Sequence, residues 1–357
     1  MKFDIPLIYD NDYIEFINKN AEHIYSIYFS LPSGNVSDAR ILSNNINLVQ
    51  FNLFLKEIPK HIKKYITLNG RYSTIDMYSS NNIKNIISEL KILYTSNNLT
   101  GILFLDFYYM TLLSQIDPKF IKELEIIPSI NCNIDSLEKF NMYIQYLDSL
   151  GLILGSKIIL DRSLNRQFSK LNELSKNIRK YNPNLKIEIL ANEGCILHCP
   201  YKINHDISIS LINDKSIVGK IYLNSKLVNN DFQFQNLNDK YGCINHLSKK
   251  PEDLLKSPFI RPEDINKYNE CADIIKLTGK IRSFSFLEEC FNAYLNRKYN
   301  GNLIELFDSL AIFRELFYIF NDQITDNFFK KVTSCNKNCE DCNYCKDLFN
   351  SIHQILR

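Results

Sequence analysis

The sequence predicts a (β/α)8 barrel of TIM type, and three observations carry that expectation. Eight short apolar runs recur along the chain, at 3–8, 24–30, 65–68, 101–105, 125–130, 157–160, 186–190 and 273–277. Most are bounded by polar or turn residues, the mark of parallel strands covered on both faces. Between several of them lie segments whose apolar residues repeat at three-and-four spacing, the helical period. The chain of 357 residues is long enough for a barrel of ~250 residues with insertions. No internal repeat, low-complexity tract or flexible linker divides it. The expected partition is therefore a barrel over 1–282 and a helical, cysteine-rich extension over 283–357.

Taken in order, the first four runs (FDIPLI, IYSIYFS, YITL and GILFL) lead to Asp10, Ser30, Asn69 and Asp106. The fifth, EIIPSI, leads to Asn131 and Cys132. Asp135 with Glu138 then resembles a capping box, and Leu137, Phe140, Ile144 and Leu147 set a helical stripe. The sixth run ends at Asp161 and Arg162. A second stripe follows through Leu164, Phe168, Leu171, Leu174 and Ile178, and Asn182-Pro183-Asn184 stops it. The seventh run opens onto Asn192 to Cys199, and the eighth carries Lys276 and Thr278. Barrel active sites lie at the C-terminal ends of the strands, so these residues form a candidate rim. Some are expected only to cap helices, because Asp, Asn and Ser favour those turns.

Two stretches interrupt the alternation. Residues 206–226 read ISISLI and then SIVGKIYL around Asn213-Asp214-Lys215, the period-two pattern of an inserted β-hairpin. Residues 284–294 and 303–320 read as helices, the second apolar nearly all round and therefore buried.

Composition narrows the function classes. A net charge of +2 with pI near 7.9 is too balanced to indicate nucleic-acid binding, and the lysine runs at 56–64 and 170–180 read as solvated helix faces. No apolar run reaches the ~18 residues of a membrane span. The opening MKFDIPLIYDND has no signal-peptide cleavage pattern, so a cytoplasmic location is expected. In that compartment ten cysteines point to metal ligation rather than disulfides.

The cysteines fall into two sets. KIEILANEGCILHCPYKINH, residues 186–205, ends a strand and then delivers Cys195, His198, Cys199 and His205. Two thiols four positions apart reach a common centre if the loop coils once, and Gly194 and Pro200 discourage a continuous helix there. Zinc or an iron–sulfur cluster is the soft-ligand choice. Cys243 makes a third ligand, and the fourth is open among Cys132, Cys335, His198 and His205. The second set, Cys335, Cys339, Cys342 and Cys345, has the spacing C-x3-C-x2-C-x2-C. Four soft ligands so close suit a [4Fe-4S] cluster better than structural zinc, the runner-up, whose paired cysteines are separated by a longer knuckle. The first three also repeat the radical-SAM spacing, but beyond the barrel instead of after its first strand. Cys271 and Cys290 read as buried thiols.

Other candidates surround these. Glu193, beside the thiols, is a proton-transfer candidate. Arg162, Arg166 and Arg261 are candidates for bidentate grip on a carboxylated ligand. No nucleophile elbow, Walker loop, HExxH motif or dinucleotide fingerprint occurs.

NEGCILHCPYKINH, residues 192–205, resembles the NEGC-x2-HCP-x4-H stretch of the collagenase-like peptidase family, the U-thirty-two group. SPFIRPEDINKYNECADIIKLTGK, 257–280, is similar to that family's IRPED…Y…K-x-x-GR run, and CNKNCEDCNYC to the tail of one subgroup. Segments 99–113, 126–151 and 158–167 extend the similarity across most of 99–345. The family's Gly-Arg stands here as Gly279-Lys280, with Arg282 two residues on. The resemblance implies an α/β barrel carrying one or two [4Fe-4S] clusters, with Cys195, Cys199 and Cys243 among the ligands. It implies oxygen-independent hydroxylation of a small molecule, RNA or peptide, with a donor such as prephenate. A peptidase, and a non-catalytic electron-transfer partner of a paralogous subunit, are the alternatives.

Overall fold

The structure, a computed structural model, describes residues 1–32, 38, 46–213 and 239–356. Each of the eight apolar runs forms a strand. These are β1 (Lys2–Pro6), β2 (Ile24–Phe29), β3 (Lys63–Leu68), β4 (Gly101–Phe104), β5 (Glu125–Pro128), β6 (Lys157–Ile159), β7 (Lys186–Leu190) and β8 (Ile274–Lys276). All neighbouring strands run parallel, in the order β5-β4-β3-β2-β1-β8-β7-β6. The ends of that order meet through a single parallel bridge, Ile126 to Leu154, with Gly155 N donating to Ile126 O at 3.1 Å. The result is a nearly closed (β/α)8 barrel.

A side-chain clasp reinforces that seam. Glu125 Oε2 accepts from Ser156 N at 3.0 Å, from Ser156 Oγ at 2.6 Å and from the Tyr65 hydroxyl at 2.7 Å, while Lys63 pairs with Glu125 Oε1.

Helices connect the strands, and the first six are each started by an Asp, Asn or Ser whose side chain accepts from a backbone N–H of the first turn. The first five are α1 (Asn11–Lys19), α2 (Leu48–Lys56), α3 (Ser80–Thr95), α4 (Phe107–Ile116) and α5 (Pro118–Ile121). Then come α6 (Leu137–Ser149), α7 (Phe168–Tyr181), α8 (Lys202–Asn213) and α9 (Cys243–Lys249). Asp10 and Asp106 accept from Tyr13 N and Tyr109 N, so these two rim residues are caps. After β8 come α10 (Phe284–Asn296), α11 (Asn327–Ser334) and α12 (Tyr344–Ile352).

Three cores result. The largest packs the outward faces of the strands against the helices. The second gathers Leu254, Leu255, Phe259, Phe307, Phe313, Phe328 and Phe349, joining the tail to the loops before β8. The third, Tyr28, Tyr65, Leu103, Ile127 and Ile159, fills part of the barrel interior. The rest of that interior is ionic: Asp4, Lys157, Glu188 and Lys276 are all buried.

Two sequence expectations need correction. Residues 206–213, the described start of the expected hairpin, belong to helix α8, and 214–226 lie outside the described residues. One of the alternating serines that suggested a strand is satisfied inside the helix. Ser210 Oγ donates to Asp206 O at 3.0 Å and accepts from Arg71 N at 3.0 Å. Residues 303–320 are not one helix but two short 3-10 turns followed by strand β9 (Phe317–Ile319), which pairs with β10 (His353–Ile355). Asn302 dictates this, because its Oδ1 accepts from both Ile304 N and Ile319 N while its Nδ2 donates to Phe317 O. Leu310, with φ of 68°, breaks any helix between them.

Candidate functional site

The C-terminal ends of the strands surround a cavity of about 110 Å³. Its floor is the ionic interior. Lys276, on β8, pairs with Asp4, lies 3.3 Å from Glu188 Oε1 and sits 3.6 Å from the centre of the Tyr28 ring. Lys157 stands below, 2.6 Å from Glu188 and 3.2 Å from Asp4. Each carboxylate thus meets two ammonium groups, the arrangement that makes a dry ionic cluster tolerable.

One wall is cationic. Lys280 donates to Asp38 Oδ2 and Ser30 Oγ, each at 2.7 Å, and lies 3.3 Å from Thr67 Oγ1. Arg71, just beyond β3, donates to Asp206 Oδ2 at 2.8 Å and to Asn131 O at 3.0 Å. Lys202 holds the same Asp206 at 2.7 Å. Helix α8 is thereby pinned over the mouth.

The loop after β7 supplies the opposite wall. Asn192 fixes its start: Thr278 N donates to Asn192 Oδ1 at 2.7 Å, and Asn192 Nδ2 donates to Thr278 O and Leu306 O. Glu193 then pairs with Arg162, and both line the cavity. Burial works against the Arg162 cation, but Glu193, followed by Cys195, Asp161 and Asp206, outweighs it and raises its proton affinity. Gly194 is required where it stands, since a Cβ there would meet the Phe307 ring at 2.7 Å. Cys195 follows. Burial raises its thiol well above the ordinary value and Glu193 adds to this, while Lys202 and Arg162 oppose.

The expected site residues are distributed unevenly. Arg162, Glu193, Asn69, Asn131, Lys276 and Thr278 line one cavity, as the rim reading anticipated. Cys195, Cys199 and Cys243 are half-buried. Cys132 is buried, its thiol donating to Phe104 O at 3.3 Å and pushed up by burial to about 11. Cys335, Cys339 and Cys342 are exposed and Cys345 half-buried. Among the described residues, no three His, Cys, Asp or Glu side chains are drawn together as a metal-holding group. The thiols suit a soft metal in kind, and the two cations beside Cys195 suit a thiolate there, but their convergence is not built into the fold.

Arg261 and Arg166 do not reach the cavity. Arg261 is buried and donates to Asn321 Oδ1, Asn321 O and Ile324 O, tying the tail to the barrel. Arg166 donates to Ser257 O at 2.7 Å and lies under the Phe259 and Phe328 rings. In both, protein oxygens occupy the guanidinium, and in Arg166 two aromatic rings as well.

Arg71, Lys202, Asp206, Asp38 and Lys280 were not anticipated. Only Lys280 carried a signal, its place after Gly279 in the IRPED…GK run.

Comparison with known proteins finds partial similarities. An uncharacterized protease of Methanocaldococcus jannaschii is 37% identical over 195 residues, which is 54% of this chain and 51% of that protein. The chain thus matches about half the length of that curated relative. No protein-family model matches. A solved U32 peptidase aligns with TM-score 0.43 and 15% identity over 60% of this chain and 78% of its own. The carboxyl transferase domain of Rhizobium etli pyruvate carboxylase aligns with TM-score 0.35 and 11% identity over 60% and 38%. Fold and site define a (β/α)8-barrel protein with a charged cavity at its C-terminal mouth. Among the described residues, no helix is long and apolar enough to cross a membrane.

Proposed function

We propose that this chain is an oxygen-independent modifying enzyme, most specifically a hydroxylase, acting on a small carboxylated molecule at the barrel mouth. A [4Fe-4S] cluster held by Cys195, Cys199 and Cys243, with a fourth ligand from Cys132, Cys335 or a histidine, would serve it. One observation supports this above others: the three charged groups in electrostatic contact with Cys195, namely Glu193, Lys202 and Arg162, all line the cavity. A cluster at that thiol would border the substrate. Such a group supplies Lewis acidity or electrons when bound.

The chain's own residues supply the rest. Arg71, Arg162, Lys276 and Lys280 present cationic donors to a ligand carboxylate, such as that of a prephenate-like oxygen donor. Glu193 Oε2, now against Arg162, is the carboxylate placed to take up or return a proton. A space of about 110 Å³ favours a small molecule over RNA or a peptide.

The test is purification without oxygen, with iron and sulfide counted per chain, followed by product detection by mass spectrometry with carboxylated donors. Cys195→Ser/Cys199→Ser should lose iron and activity together, and Cys290→Ser should keep both. Full iron in the double variant ends the proposal.

A peptidase is the second reading, favoured by the name of the curated relative. Against it, no cavity-lining residue among those described is a histidine, and the hydroxyls of Ser30 and Thr67 share Lys280 with Asp38. Hydrolysis of peptides by iron-free protein would select it. Iron without product, gained only with a paralogous subunit, would select an electron-transfer role.

A further inference from the structure

The interior of a (β/α)8 barrel is ordinarily filled by layers of branched apolar side chains. Here the layer beneath the cavity is ionic, although apolar residues of similar volume would fill that space with no charge to desolvate. Stability therefore does not explain it. Lys276 of β8 pairs across the strands with Asp4 of β1. Glu188 precedes by two residues Leu190, the partner of Lys276 on β7, and so shares the inward face. The Lys276 side chain is 5% exposed and lines the cavity.

Hydrogen bonds separate this lysine from its neighbours. An ammonium has three donors. Lys280 has an acceptor for each: Asp38, Ser30 and Thr67. Lys157 is likewise filled, by Glu188 and Ser26 with Asp4 at 3.2 Å, and is closed off from solvent. Lys276 hydrogen-bonds Asp4 alone among the described residues; its other close neighbours are the Tyr28 ring centre at 3.6 Å and Glu188 Oε1 at 3.3 Å. That Oε1 is buried and accepts no hydrogen bond among the described residues.

An unfilled carboxylate oxygen beside an incompletely bonded ammonium is a proton acceptor in waiting. Passing one proton from Lys276 to Glu188 turns two buried charges into two neutral groups and leaves Asp4 and Lys157 as a matched pair. Burial favours that exchange, and burial followed by Asp4 raises the Glu188 carboxyl. The product is a neutral amine at the cavity, the form in which lysine is a nucleophile.

We infer that Lys276 forms an imine with a 2-oxo acid bound in the cavity, Glu188 holding the displaced proton. The ligand needs a carbonyl because that is what an amine condenses with, and a carboxylate because Arg71, Lys202 and Lys280 line the remaining walls. The step balances. The Nζ–C bond forms, the carbonyl oxygen leaves as water with the two amine hydrogens, and Glu188 returns its proton to the imine nitrogen. No electrons change hands, so no oxidant is needed. The iminium then draws electrons from the adjacent carbon and activates its bonds. The inference rests on the reading of the cavity as a carboxylate site, and not on the cluster proposed beside it.

The test treats the full chain with pyruvate and sodium cyanoborohydride, which fixes an imine as a stable secondary amine, and locates modified lysines by peptide mass mapping. Acetone replaces pyruvate in a parallel arm. Lys276 should gain a carboxyethyl group about tenfold or more faster than the exposed Lys330, and about tenfold faster than it reacts with acetone. Glu188→Gln, which keeps the shape but takes no proton, should slow the labelling of Lys276 about tenfold, its fold checked by circular dichroism. Lys276 labelled no faster than Lys330 would overturn the imine, and that result comes from the native chain without any variant. Equal labelling by pyruvate and acetone would overturn the oxo-acid preference, and with it the carboxylate reading of the cavity, while the imine stands. Glu188→Gln labelled as fast as the native chain would remove Glu188 from the proton transfer.

Discussion

Lys157 Nζ and Glu188 Oε2 lie 2.6 Å apart inside the barrel, and neither side chain touches solvent. With Asp4 and Lys276 they form a balanced quartet directly under the cavity. Replacing Lys157 by Met would leave two buried carboxylates with one ammonium between them. The expected loss is about 3–5 kcal/mol of unfolding free energy, read by urea titration at neutral pH. A loss below about 1 kcal/mol would show that the cluster does not depend on the pair.

Acid should dismantle the same quartet in a defined window. Burial by itself would raise the Asp4 carboxyl; Lys157 and Lys276 outweigh it and hold it at about 2 instead of 3.8. A depressed folded value means the stabilisation is present above about 3.8 and is lost as pH falls from there through about 2. Glu188 acts in the opposite sense, because burial, and then Asp4, raise it. The stability difference between native chain and Asp4→Asn should therefore shrink as pH drops through that window. Parallel pH profiles for the two proteins would refute the assignment.

Arg162→Gln should leave the fold intact and weaken the proposed reaction. Losing a charge-assisted contact to a ligand carboxylate is worth about 1.5–3 kcal/mol, or roughly 10–100-fold in kcat/KM. Circular dichroism checks the fold and steady-state kinetics the loss. An unchanged kcat/KM removes Arg162 from the site.

Arg261→Ala should do the reverse. Its guanidinium holds Asn321 and Ile324 of the tail, so about 3 kcal/mol of stability should go while KM is preserved. A raised KM with unaltered stability would restore Arg261 to the ligand-binding role read from the sequence.

Gly194→Ala tests the loop. A Cβ there overlaps Phe307, and overpacking of this kind costs about 1–3 kcal/mol. The displaced loop should expose Cys195, accelerating its alkylation by an order of magnitude or so. Equal rates in the two proteins would mean that the loop accommodates the methyl group.

The strands were legible because each parallel strand is a short apolar run closed by a turn, and that signal is local. Cys195 and Glu193 were legible for the same reason: they follow β7 without interruption. The cationic wall was not, because Arg71, Lys202 and Lys280 come from three separate loops and meet only in the closed barrel. Helix α8 was misread because alternating Ile and Ser suits either period. Arg71, more than 130 residues away, donates to Ser210 and decides the matter. Arg261 looked like a ligand-binding arginine from its loop, and only the folded tail revealed its partners.

The seam between β5 and β6 gives the barrel an unusual kind of closure. Elsewhere the circumference is stitched by backbone ladders, whose amides and carbonyls carry no titrating proton in the acid range. Here one bridge is supplemented by Glu125, which receives Ser156, Tyr65 and Lys63 in place of a neighbouring strand. Burial by itself would raise that carboxyl, and the hydrogen bonds from Lys63, Ser156 and Tyr65 lower it, so the stitch is made of ionised oxygen. The cylinder is in effect a rolled ribbon with a buttoned edge. Neutralising the button in acid should let the roll slacken along that line first, at the N-terminal end of the strands and away from the cavity.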